Sequence, residues 1–201
     1  MLPPEPKQLD KLLDRNTVLT LTIGIEAFLL LCATLWMVFE KLDIRPMLYL
    51  SKRTVIIGLL AGNLVSLANL AILWAGRRWS QRSFLLRSMR DLVMLEMVPI
   101  FGRLKFIDRF FIALISGFCE EIFFRGVLEK SCGMASSAFC FGLAHFPSLY
   151  YFPYAIWATL IGLLMSLLSQ ICGSLWCPII AHAMINLISL NVIANLDKEP
   201  K

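Results

Sequence analysis

Residues 110–128 read FFIALISGFCEEIFFRGVL. At about 1.5 Å per residue, a helix over this run reaches roughly 28 Å, close to the thickness of the hydrocarbon core of a bilayer. Yet it holds Glu120, Glu121 and Arg125. An ionised group in hydrocarbon costs several kcal/mol unless it finds partners inside the protein or a water-filled cavity. The run is therefore expected as one crossing of a helical bundle, with its charges turned inward.

The rest of the chain agrees with that reading. It has 201 residues, 58% of them hydrophobic, and a mean hydropathy of +0.73. A soluble domain is usually nearer half apolar. The fold class expected is all-α: a multi-pass transmembrane helical bundle of about six spans plus an interfacial amphipathic helix. It forms one integral membrane domain over 1–201, with its motif-bearing half at about 106–195. The net charge of +5 gathers in short segments between apolar runs, where the positive-inside rule accounts for it. No basic block with interleaved aromatics remains to suggest nucleic acid, so the partners expected are the lipid bilayer and a peptide or protein substrate at the membrane. The six cysteines form no CxxC pair and read as small buried hydrophobes.

Residues 1–16, MLPPEPKQLDKLLDRN, are polar and proline-rich. The apolar run at 17–39 behind them is expected as a retained span rather than a cleaved signal. It contains Glu26, which belongs to no motif. A second span is expected at 54–75, where Gly58, Gly62 and Ser66 form a small-residue stripe for close helix packing. Segment 77–109 is the most basic and alternates charged with apolar residues at near-helical spacing. It reads as an amphipathic helix in the interface, or as a partial span before Pro99. The third span is expected at 106–128. A fourth starts near Gly133 and breaks at Pro147, too short to cross fully. An aromatic segment, FPSLYYFPY, leads to spans at 154–171 and 175–193. Ala158, Gly162 and Ser166 form a second small stripe. The loop charges favour a cytoplasmic N-terminus.

Both histidines of the chain, His145 and His182, fall in apolar runs. If the spans at 133–147 and 154–171 form a pair, Glu120, His145 and His182 lie about 13, 18 and 12 Å below one face. Glu121 and Arg125 are i, i+4 and pair on one helix face. Glu120 points about 100° away, without a local cation, as a general base would. His182 and Asn186 are also i, i+4, and both can donate to a developing oxyanion.

The sequences EEIFFR, FGLAH and HAMIN fit EExxxR, FxxxH and HxxxN motifs on successive apolar spans, with Gly126 after the arginine. Over 106–195 this pattern resembles the CPBP family of intramembrane proteases (type II CAAX prenyl proteases and bacteriocin-processing proteins). The resemblance implies Glu120 as catalytic base acting with His145 on a water, and His182 with Asn186 at the oxyanion. Glu121 and Arg125 would support the site, Phe141 would pack beside it, and the location would be a bacterial cell (inner) membrane. The expected function is an intramembrane endopeptidase acting on a membrane-associated or lipidated protein or peptide. No cofactor is expected. Glu120, His145 and His182 are also a possible zinc set, but zinc would consume the base as a ligand. The alternatives are a non-catalytic scaffold or immunity-type protein of the same family, and a proton or metal-ion carrier using Glu26, Glu120, His145 and His182.

Overall fold

The computed structural model describes residues 14–198, and the polar segment at 1–13 lies outside them. Helix α1, Arg15–Glu40, is capped by the Asp14 side chain, which accepts from the Thr17 amide, and it ends at Lys41 in the left-handed region. A 3-10 turn, Arg45–Met47, precedes α2, Lys52–Trp79, which opens on a capping box between Ser51 and Thr54. Next come α3 (Phe84–Asp91), a π-helical segment (Leu92–Met97) and α4 (Val98–Phe101). The long crossing is α5 (Phe106–Glu121), a second π segment (Ile122–Leu128) and α6 (Glu129–Cys132). Helix α7, Met134–Ala144, then pairs with α8, Phe152–Cys172, and α9, Trp176–Leu196, closes the fold.

The protein is a multi-pass helical membrane bundle. Among the described residues, four helical stretches are each long and apolar enough to cross a membrane: Arg15–Glu40, Lys52–Trp79, Leu149–Cys172 and Trp176–Leu196. The run Phe106–Cys132, tied at its two ends to the two ends of α1, adds to these, as does the short apolar α7. The third expected span is a helical run broken in type by its π segment. The fourth, at 11 residues, reaches only about 17 Å.

Side-chain ties set the direction of each helix. Arg15 at the start of α1 donates to Asp108 at the start of α5, at 2.7 and 2.5 Å, so these two ends share a face. At the other face, Ser131 beside α6 donates to Glu40 at the end of α1, and the Leu175 amide donates to the Met47 carbonyl at 2.7 Å. Helices α1, α5 and α8 thus run one way, and α2, α7 and α9 return. The segment α3 to α4 lies at the first face, held to the aromatic loop. Ser88 donates to the Tyr150 carbonyl, Tyr150 to Asp91, and Tyr151 to Glu96.

Helix α9 is the inner one. In its most apolar stretch 56% of residues are buried, against 17% in α1 and 22% in α2. It packs on α2 through the glycine stripe. A Cβ on Gly58 would sit 2.7 Å from the Cys177 carbonyl, and one on Gly62 would sit 2.8 Å from that of Ala181. It packs on α5 at Gly117, where a Cβ would meet the Ala183 amide at 2.8 Å. The outer faces stay apolar for lipid: Leu21, Ile25 and Phe28 of α1 are more than half exposed. Close helix approach is a main source of stability between membrane helices, because lipid offers no hydrophobic drive. Gly62→Val is therefore expected to cost about 1–3 kcal/mol by overpacking. Gly24→Ala, with nothing within 4 Å of the added carbon, should be neutral. Thermal unfolding of the two purified variants in detergent checks this.

Candidate active site

The two adjacent glutamates close α5 where the π segment begins. π turns interrupt a helix at a cost and are frequent at functional sites. Glu121 is fully buried and acts as the hub. Its Oε1 accepts from Arg125 Nη1 at 3.0 Å and lies 2.8 Å from His182 Nδ1 on α9. An ionised carboxylate only accepts, so His182 Nδ1 carries a hydrogen and Nε2 is the nitrogen left for other partners. Arg125, also fully buried, sends Nη2 to the Gly162 carbonyl of α8 at 2.9 Å. Its guanidinium lies 4.5 Å from the centre of the Phe141 ring. One ion pair thereby joins α5, the π segment, α8 and α9.

Glu120 faces a different neighbour. His145 caps the C-terminal end of α7 and donates from Nδ1 to the Phe141 carbonyl at 2.8 Å, since a carbonyl can only accept. Its Nε2 is then directed at Glu120 Oε2, 3.9 Å away. That is too long for a direct hydrogen bond and short enough for one water to touch both. Glu120 Oε2 is buried and has no hydrogen-bond partner among the described residues. Phe141 is the floor of the site. Its ring centre lies 4.4 Å from that of His145 and 5.8 Å from that of His182.

Asn186 stands apart from His182. Its amide donates to Ser116 Oγ at 2.7 Å, and both residues line an apolar cavity of about 310 Å³. Ser116 was not singled out from the sequence. It lies one turn before Glu120 on α5, so the i, i+4 spacing applied to Glu121 and Arg125 would have found it. Glu26 was not assigned to a motif either. It is buried on α1, lines the same cavity and interacts electrostatically with Glu120 and His182. Nothing in the sequence near Glu26 tells it from a helix-packing carboxylate.

Glu120, His145 and His182 do not converge as a metal site. Among the described residues no three His, Cys, Asp or Glu side chains group as ligands. Zinc would need its ligands at roughly 2.0–2.2 Å from one point.

Residues 102–188 match the family model described as type II CAAX prenyl endopeptidase Rce1-like. This stretch is similar to the Rce1-like family. It carries all seven site residues discussed from the sequence: Glu120, Glu121, Arg125, Phe141, His145, His182 and Asn186. The protein YpbD of Bacillus subtilis strain 168 is similar, at 32% identity over 89 residues. The similarity covers 44% of this chain and 47% of YpbD, so the chain spans about half the length of the curated relative it matches. No solved structure matches the chain.

The stretch that matches the family model holds the buried pair, and its energetics are testable. Removing one partner of a buried ion pair leaves an uncompensated charge, at about 3–5 kcal/mol. Arg125→Ala is expected to lose that much. Glu121→Gln with Arg125→Met should recover part of it, because Gln can still accept from His182. Chemical denaturation in detergent compares the three proteins, and equal stability of Arg125→Ala and wild type would refute the pair.

Proposed function

We propose that this protein is an intramembrane endopeptidase, hydrolysing a peptide bond of a membrane-associated or lipidated protein or peptide. The observation that carries the reading is the gap between Glu120 Oε2 and His145 Nε2. It is 3.9 Å wide, mid-bundle and bordered by acceptors. A water donating one hydrogen to each has its oxygen lone pairs free. Glu120 takes the proton as that oxygen adds to the substrate carbonyl carbon, then passes it to the departing nitrogen. The match of residues 102–188 to a family model described as an endopeptidase supports the reading.

The oxyanion falls to His182 and Asn186 in this scheme. His182 donates from Nε2 only as an imidazolium, and the Glu121 carboxylate beside it supplies the matching charge. Asn186 has two amide hydrogens. One is held by Ser116, which orients the group and leaves the second for the oxyanion. The basic first face, with Arg77, Arg78, Arg82 and Arg87, would lie on the cytoplasmic side of a bacterial cell membrane.

Glu120→Gln is nearly isosteric and removes only the base. It should abolish cleavage of membrane-proximal peptides, read by mass spectrometry of cells or purified protein, while the unfolding midpoint holds. Near wild-type activity would end the assignment.

Asn186→Ala is expected to lower kcat by about 10²–10³-fold, the usual weight of one oxyanion donor, with little change in KM. If Asn186 only ties α9 to α5 through Ser116, the loss would appear in thermal stability, with kcat per folded molecule preserved.

A further inference from the structure

The cavity of about 310 Å³ is lined by α1, α2, the α3 to α4 segment, α5, α8 and α9. Its lining is mostly apolar, with Leu70, Leu92, Phe101 and Ile112 among the walls. Ser116 and Asn186 border it and are bonded to each other. Glu26 borders it too, 5% exposed, and its Oε2 is buried without a hydrogen-bond partner among the described residues.

A carboxylate in an apolar enclosure is costly unless it meets a donor or a cation. Among the described residues no Lys or Arg makes a hydrogen bond or ion pair with Glu26. Arg125, the buried arginine of the site, is spent on Glu121 and the Gly162 carbonyl. The ionisable groups in electrostatic contact with Glu26 are Glu120, His182 and Cys119. His182 is held by Glu121. The cavity thus presents the Glu26 carboxylate, with Glu120 in electrostatic contact with it, while Arg125 and His182 are both held by Glu121. A ligand that brings a positive nitrogen on an apolar stem matches both the lining and the charge.

We propose that Glu26 is a recognition site for a cationic nitrogen of the substrate peptide, seated in this cavity beside Asn186 and Ser116. This rests on the peptidase reading for the nature of the ligand. The nitrogen comes either from a Lys or Arg side chain near the cleaved bond or from a free amino terminus. Both have the same chemistry at Glu26, a charge-assisted hydrogen bond to its carboxylate. Glu26 lies outside the stretch 102–188 that matches the family model. The site therefore concerns which peptide this chain accepts, not the hydrolytic step.

Three synthetic peptides test it on the full chain in nanodiscs. The first is an acetylated and amidated Leu/Ala peptide with one central Lys. The second has norleucine in place of that Lys. The third is the norleucine peptide with a free amino terminus. Dissociation constants are measured for wild type and Glu26→Gln, and for any peptide that is cut, in the Glu120→Gln background to stop turnover. Wild type is expected to bind the first or the third roughly ten- to a hundredfold more tightly than the second. The preferred peptide identifies the source of the nitrogen, and Glu26→Gln should remove the preference. Equal binding of all three by wild type overturns the proposal without reference to any variant. So does a preference that survives in folded Glu26→Gln protein. Failure to cut any peptide counts against the peptidase reading and leaves the binding comparison intact. Cutting with no dependence on charge counts against the Glu26 site alone.

Discussion

The ion pair of Glu121 with Arg125 is the constraint on which the arrangement of the bundle depends. Both side chains are fully buried. In lipid, neither charge can be left to solvent, so both side chains are drawn to partners on other helices. Arg125 answers with the Gly162 carbonyl of α8, and Glu121 with His182 of α9. The same guanidinium lies over Phe141 of α7. Four segments are thereby pinned to one point, and the residues beside that point inherit fixed positions.

Those positions matter for chemistry. His145 is held by Phe141 and His182 by Glu121, each through Nδ1. Each ring therefore turns its Nε2 away from its anchor. A histidine oriented at one nitrogen acts with defined geometry at the other. Glu120, next to the hub but outside it, keeps a buried oxygen unanswered. Of the two adjacent glutamates, Glu121 is tied through Oε1 to Arg125 and His182, whereas Glu120 Oε2 faces His145 without a hydrogen bond. The π segment that starts immediately after them changes the helical repeat, and Arg125 leaves the helix from within it.

Small residues make this possible. Gly58 and Gly62 bring α2 onto α9, Gly117 brings α5 onto α9, and Gly162 brings α8 onto α7 while lending its carbonyl to Arg125. The cavity beside Asn186 exists because the segment α3 to α4 closes the bundle at one face and is tied to the loop that follows His145. Asn186 lines this cavity together with Glu26 of α1.

Much of this was legible in the residue order. Hydropathy over spans such as 17–39 and 175–193 marks helices because a bilayer tolerates few other backbones, and α1 and α9 contain those runs. The i, i+4 spacing of Glu121 and Arg125 showed their pairing, since helix geometry alone sets that distance. The stripe at Gly58, Gly62 and Ser66 showed a close contact but not its partner. Four features needed the tertiary structure. The π segments leave no pattern, because they arise where packing between helices outweighs the local hydrogen-bond repeat. His182 goes to Glu121, and Asn186 to Ser116, because the relative rotation of α5 and α9 decides which face meets which. His145 is held at the end of α7 by the Phe141 carbonyl, a side-chain geometry that the FxxxH spacing does not specify. Glu26 joined the site only when α1 was laid against α5, since a lone carboxylate in a span has no local signature and its meaning comes from what it faces.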